Sequence, residues 1–229
     1  MVCEILSSGK ALIAGPSLVS DMNHLIKDLK NIYDYNIIID GAFFRQSFAS
    51  IADGSILVIG ANYSPDMNKT VENAYLSYKK LTLPVIPDKY QIFKNKTNVC
   101  FLKRNSLIEL EFSSIIGKVD KLFNEENFNS QAIFLPNTLT DELVNWLTKK
   151  PDYFKSDIVV NSGINIQLNN QNLKNLFRLE NNVFVVEPIN IACICYNPTS
   201  SRGYYYNEIE FANKLTKKLQ RKVINVKEV

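Results

Sequence analysis

Residues Asn36 to Ala61 read NIIIDGAFFRQSFASIADGSILVIGA, and this stretch decides the fold class. It holds two short β-branched runs, Ile37 to Ile39 and Ile56 to Ile59, each ending in a tight turn, Asp40-Gly41 and Gly60-Ala61. Runs that are apolar on both faces and open into a loop at the carboxyl end read as buried parallel strands. In open α/β sheets such strand ends are where ligands bind. A carboxylate directly after the strand is placed to hold a Mg²⁺ ion, which makes Asp40 the leading candidate site residue.

On the amino-terminal side, Lys10 to Ala14 reads as a further strand that breaks at Gly15-Pro16. Ser17 or Ser20 then caps a helix to about Asn31, with Leu25, Ile26 and Leu29 as its apolar stripe. Strand, helix and strand make a right-handed βαβ unit. Phe43 to Ala52 reads as a helix or an ordered loop. On the carboxyl-terminal side, Ser64-Pro65-Asp66 starts a helix with Pro65 at its first position. Its inward residues are Val71, Ala74, Tyr75 and Tyr78, and it ends before Pro84.

From Leu83 to Asn98 the texture becomes that of a junction, and an antiparallel hairpin follows near 99–112, turning at Lys103 to Ser106. The α/β alternation resumes at Ala132 to Leu135. A helix with a capping box at Thr138 and Asp141 buries Leu139, Leu143, Val144, Trp146 and Leu147. Strands are expected at Ile158 to Val160, Val183 to Val186 and Ile189 to Tyr196, then a helix from about Asn207 to Leu219 and a strand at Val223 to Val226. The expected fold class is α/β, a mainly parallel sheet flanked by helices in three layers, with the hairpin as an insertion. Residues 1–88 are expected to form one α/β portion and 89–229 a second.

The chain has 229 residues, long enough for one large domain or two small ones, and its 46% hydrophobic and 21% charged residues are globular values. A net charge of +3 with mixed signs argues against a nucleic-acid or membrane surface. No apolar run reaches the roughly 18 residues of a membrane span, so the expected compartment is cytoplasmic. Lys214, Lys217, Lys218, Arg221 and Lys222 read as a solvated helix end. Cys3, Cys100, Cys193 and Cys195 read as buried small hydrophobes. Cys193 and Cys195 share a side of one strand, yet a zinc site needs about four ligands and no Cys-x-x-Cys or paired His supplies them. His24 is the only histidine and reads as a solvated residue near a helix start.

A phosphate loop requires Gly-x-x-x-x-Gly-Lys-Ser/Thr, so that consecutive N–H groups wrap the phosphates. Ser7-Ser8-Gly9-Lys10 lacks the first glycine and the following hydroxyl, and no Gly-x-Gly-x-x-Gly element occurs. Asn95-Lys96-Thr97-Asn98 lacks the carboxylate that reads a guanine edge. What remains are strand-end turns: Gly15-Pro16-Ser17, Asp40-Gly41-Ala42 with Arg45, Gly60-Ala61-Asn62, and Asn197-Pro198 with Gly203. If the three amino-terminal strands are neighbours, their turns converge, and Gly15, Ser17, Gly41, Arg45, Gly60 and Asn62 become ligand-binding candidates beside Asp40. Arg45 then offers a fork for phosphate or carboxylate. The alternative is an Asp40–Arg45 ion pair that only orders the loop.

In order, Ala14-Gly15-Pro16-Ser17, Ile39-Asp40-Gly41-Ala42 with Arg45, Ile59-Gly60-Ala61, Lys69-Thr70, and Tyr196-Asn197-Pro198 through Asn225-Val226 resemble the reactivase subunit of lysine 5,6-aminomutase. The resemblance implies a P-loop NTPase-like fold and an accessory role, ATP-dependent restoration of an adenosylcobalamin enzyme of lysine degradation after cofactor damage. It implies ATP and Mg²⁺ as cofactors, with Asp40 at the metal position, and the aminomutase or another reactivase subunit as partner. Members of that family open with a P-loop-bearing portion, whereas this chain opens near the strand before Gly15. A fragment, a split protein and a form without ATP binding are the three readings, and on each the chain alone is expected to lack activity. An incomplete sheet exposes an edge and an apolar face, so pairing with a P-loop-bearing chain or self-association is expected. The runner-up is a stand-alone α/β enzyme or small-molecule binder using the strand-end turns.

Overall fold

In the computed structural model, residues 6–9, 15–32, 36–40, 46–104, 106–122, 130–150 and 155–227 are described. Two compact units result, Met1–Ile51 and Ala52–Val229. The chain is α/β, with mixed sheets flanked by helices. No helix among the described residues is long and apolar enough to cross a membrane.

The first unit contains helix α1 (Val19–Ile32), which buries Met22 and half-buries the expected stripe Leu25, Ile26 and Leu29. A 3₁₀ turn over Gln46–Ser50 brings Phe48 into the interior. The strand expected at Ile37 to Ile39 does not form: residues 36–40 make no ladder and Ile38 is 93% exposed. β-branched composition favours an extended backbone, but a strand exists only where a neighbour accepts its hydrogen bonds. The strand expected at Lys10 to Ala14 lies outside the described residues.

In the second unit, strand β1 (Ser55–Gly60) leads through a 3₁₀ turn, Ala61–Tyr63, to α2 (Met67–Leu81). Asp66, not Pro65, defines the helix start: its Oδ1 accepts from the backbone N–H of Asn68 at 2.8 Å and of Lys69 at 3.4 Å. The expected hairpin is present as β2 (Cys100–Lys103) and β3 (Ser106–Glu109). Lys96 and Asn98, from the guanine-like segment, bond Glu109 across it at 2.8 and 3.2 Å. Next come α3 (Val119–Leu122), β4 (Ala132–Leu135), β5 (Leu139–Thr140), α4 (Asp141–Lys149), β6 (Asp157–Val160), β7 (Ile166–Gln167), α5 (Asn170–Leu176) and β8 (Val183–Val185). The chain closes with β9 (Ile191–Asn197), α6 (Glu208–Leu219) and β10 (Ile224–Asn225). Helix α4 thus begins at Asp141 with Thr140 as its cap residue, and Leu139, expected within it, pairs with Ile166 in the short β5–β7 ladder.

The larger sheet has the order β3-β2-β4-β6-β8, antiparallel through β2 and parallel from β4 to β8. Both faces are buried, as near-continuous apolar strands require. Phe101, Ile133, Leu135, Ile158 and Val160 meet α4 and α5 through Leu143, Val144, Leu147, Leu173 and Leu176. The alternate residues Cys100, Leu102, Phe134 and Val159 meet Ile86, Tyr90 and Phe93, with Phe93 stacked on Phe134 at 5.3 Å. Each fully buried side chain of this size contributes about 1.5–3 kcal/mol.

The smaller sheet is all parallel, in the order β1-β9-β10. One face meets α2 and α6: Tyr196 packs edge-on against Phe211 at 5.7 Å, and Ile59, its neighbour in register, is buried. On the other face Ile56 is 65% and Val58 59% exposed.

Candidate functional site

Two strand-end turns converge, those of Gly60 and Asn197, a different pairing from the one expected among the three amino-terminal strands. Gly60 at the end of β1 lies beside Asn197 at the end of β9, so both strands release their chains at one edge of the smaller sheet. From β1 come Ala61, Asn62, Tyr63 and the entry to α2; from β9 comes a loop over residues 198–206. That loop folds back on itself. Ser200 N–H donates to Tyr204 O at 2.9 Å, Tyr206 N–H donates to Pro198 O at 2.9 Å, and Thr199 and Tyr205 form an antiparallel bridge. Gly203 sits at φ +86°, a left-handed position that favours glycine.

The two turns are joined through Asn62. Its Oδ1 accepts from Ser200 Oγ at 2.8 Å, from Ser201 N–H at 2.8 Å and from Ser201 Oγ at 3.1 Å. Tyr204 Oη donates to Ala61 O at 2.7 Å. Tyr206 Oη donates to Ser64 O and lies 2.7 Å from Thr70 Oγ1. Burial pushes the Tyr206 hydroxyl above the usual tyrosine range, opposed by the Thr70 hydrogen bond. The result is a hydroxyl-and-carboxamide cluster whose groups bond one another, with no nucleophile–base pair among them. The amino-terminal N–H groups of Asn68 and Lys69 on α2, where an anion would dock, already bind Asp66.

The remaining candidates fall elsewhere. Gly15 and Ser17 are exposed residues ahead of α1, and Asp40 is exposed at the end of the 36–40 segment, all three in the first unit. Gly41 and Arg45 lie outside the described residues, and with them the Asp40–Arg45 pairing. His24 is exposed on α1. Among the described residues no group of three or more His, Cys, Asp or Glu side chains gathers as a metal site. Sequence reasoning passed over Tyr204 and Tyr206, and it names Thr70 only within the Lys69-Thr70 element of the resemblance. The available signal was the run Tyr204-Tyr205-Tyr206 directly after a glycine turn at a strand end.

A second surface is the groove of about 710 Å³ between α2 and α6. Glu72, which lines it, pairs with Lys218 at 2.9 Å and Lys174 at 3.2 Å, and these cations, Lys218 first, hold its carboxyl below the usual range. Lys214 is engaged by Glu210 at 2.8 Å and by Asn68 at 2.9 Å. Two cations of the basic helix end, Lys214 and Lys218, are thus paired by their neighbours.

Comparison of the chain with protein-family models, with curated proteins and with solved structures gives no match.

Proposed function

We propose that this chain is a partner-dependent accessory protein, and that, following its resemblance to the lysine 5,6-aminomutase reactivase, it serves the reactivation of an adenosylcobalamin-dependent aminomutase. The observation that carries the docking role is β1. Among the described strands only β9 pairs with it, and its outward Ile56 and Val58 are 65% and 59% exposed. An apolar edge strand of six residues is a template on which another chain adds a strand. In this reading the added chain carries the phosphate loop, which completes a three-layer P-loop-like sheet and binds ATP and Mg²⁺. Reactivation then follows from preferential binding to the enzyme holding damaged cofactor, since a factor shifts an equilibrium only through different affinities for its two states.

The test is recovery of activity. Inactivated holo-aminomutase is incubated with fresh adenosylcobalamin, Mg-ATP, a P-loop-bearing reactivase fragment and this chain, with Val58→Asp in parallel. Recovery with the wild-type chain and its loss in the variant is the expected result. Equal recovery with and without the chain ends the proposal.

A second reading, a small-molecule binder at the Gly60 and Asn62 turns, is favoured by the convergence of two loops on the Asn62 oxygen. Calorimetric titration of Mg-ATP into the chain, beside Asn62→Ala and Asp40→Ala, tests it: binding lost in Asn62→Ala alone places the ligand at this edge.

A further inference from the structure

The face of the smaller sheet that carries Ile56 and Val58 also holds two sulfurs, those of half-buried Cys193 and buried Cys195. Cys193 and Cys195 alternate along β9 and point the same way, with their Sγ atoms 3.7 Å apart. Register places Ile56 beside Cys193, and Val58 and Ile224 on either side of Cys195. Both thiols are free. A direct disulfide does not suit this arrangement: residues two apart on a strand keep their Cβ atoms about 6.6 Å apart, two rises of about 3.3 Å, against the roughly 3.5–4.5 Å that the bond requires. A bridging ion does suit it. With Zn–S bonds of about 2.3 Å, sulfurs 3.7 Å apart subtend about 107° at the ion, close to the tetrahedral angle.

We propose that Cys193 and Cys195 form half of a tetrahedral zinc site, which is completed by the same two cysteines of a second copy of this chain. The donor count selects the second copy. Zinc in a structural site takes four ligands, and among the described residues no third Cys, His, Asp or Glu joins the pair. A two-fold axis through the ion supplies the missing pair from the identical surface, because such an interface is self-complementary. The side chains around the sulfurs fit that role: Ile56, Val58 and Ile224 are partly exposed apolar groups that a second copy would cover, excluding water from the thiolates. This assignment uses the sheet face and does not depend on strand addition at the β1 edge or on any role in reactivation.

The experiment uses the full chain, reduced, freed of metal and then titrated with zinc sulfate, followed by light scattering coupled to size exclusion and by native mass spectrometry. The expected result is one zinc per two chains, with the molecular mass doubling in step with zinc. Cys193→Ser and Cys195→Ser each abolish both changes, while Cys3→Ser and Cys100→Ser leave them intact. Val58→Asp, which keeps the sulfurs and disrupts the apolar surround, weakens dimerisation by tenfold or more. Circular dichroism confirms that each variant is folded. Zinc bound one per monomer, no zinc bound, or a zinc-dependent dimer that survives in the Cys193→Ser/Cys195→Ser double variant would each overturn the proposal.

Discussion

The Tyr90 hydroxyl donates to Asp157 Oδ2 at 2.5 Å, joining the segment before β2 to the first residue of β6. Asp157 also accepts from Asn182 Nδ2 at 2.8 Å and has Lys89 Nζ 3.6 Å away. Tyr90 itself is buried, its ring tilted against Phe93 and edge-on to Phe184, each at 5.9 Å. Replacing it with Phe keeps the ring and removes one donor from a carboxylate. Tyr90→Phe is expected to cost about 1–2 kcal/mol in urea unfolding with an unchanged m value.

The same pair makes a pH prediction. Burial, and then the Asp157 hydrogen bond, raise the Tyr90 pKa above its ordinary value of 10.0. The contact's contribution is therefore complete below the unfolded-state pKa and is lost as pH rises through the folded one. The stability gap between wild type and Tyr90→Phe is expected to be constant near neutrality and to shrink above about pH 10. A gap that widens there would contradict the assignment.

Asn62 predicts a local effect. Removing its Oδ1 in Asn62→Ala deletes three hydrogen bonds that hold Ser200 and Ser201. Hydrogen exchange in residues 199–204 is expected to accelerate by at least tenfold, with a global cost of only about 1 kcal/mol. Uniform acceleration across the larger sheet would show that the two turns are not an independent unit.

Gly163 predicts a larger one. It lies in the 3₁₀ turn after β6, where an added Cβ would run into the backbone carbonyl of Lys80 near the end of α2. Backbone cannot swing aside as a long side chain can. Gly163→Ala is expected to destabilise by about 1–3 kcal/mol, read as a lowered melting temperature.

The thiols should separate by reactivity. Cys100, the first residue of β2, is buried in the core and its pKa is pushed up to about 11 by burial, whereas Cys193 is half-exposed. Limited alkylation of the zinc-free protein, followed by peptide mapping, is expected to label Cys193 well before Cys100. Alkylation of Cys193 should also prevent the zinc-dependent increase in mass.

Sequence reading located most elements of the second unit because their periodicity and punctuation were local: the Gly60 turn, the hairpin around residues 103–106 and the start of α6 near Asn207 could each be read in place. It erred where pairing decides. Ile37 to Ile39 and Ile56 to Ile59 are nearly the same word, yet only the latter has a ladder, and its neighbour β9 lies far along the chain. Leu139 reads as helical from its spacing to Leu143, but the strand Ile166–Gln167 claims it. At the candidate site, Gly60 and Asn62 were legible as a strand-end turn. The closure of that turn by Ser200, Tyr204 and Tyr206 was not, since it depends on which strand stands beside β1.

The pairing of Ile59 with Tyr196 also fixes an order of events during synthesis. Every strand of the larger sheet is made between these two residues. That block can assemble as it emerges, while β1 waits without its neighbour. At about 5–20 residues per second, the wait lasts on the order of ten seconds or more. For that interval the nascent chain carries an uncommitted apolar strand, so the ribosome-bound stage is where this protein is most open to aggregation or chaperone capture.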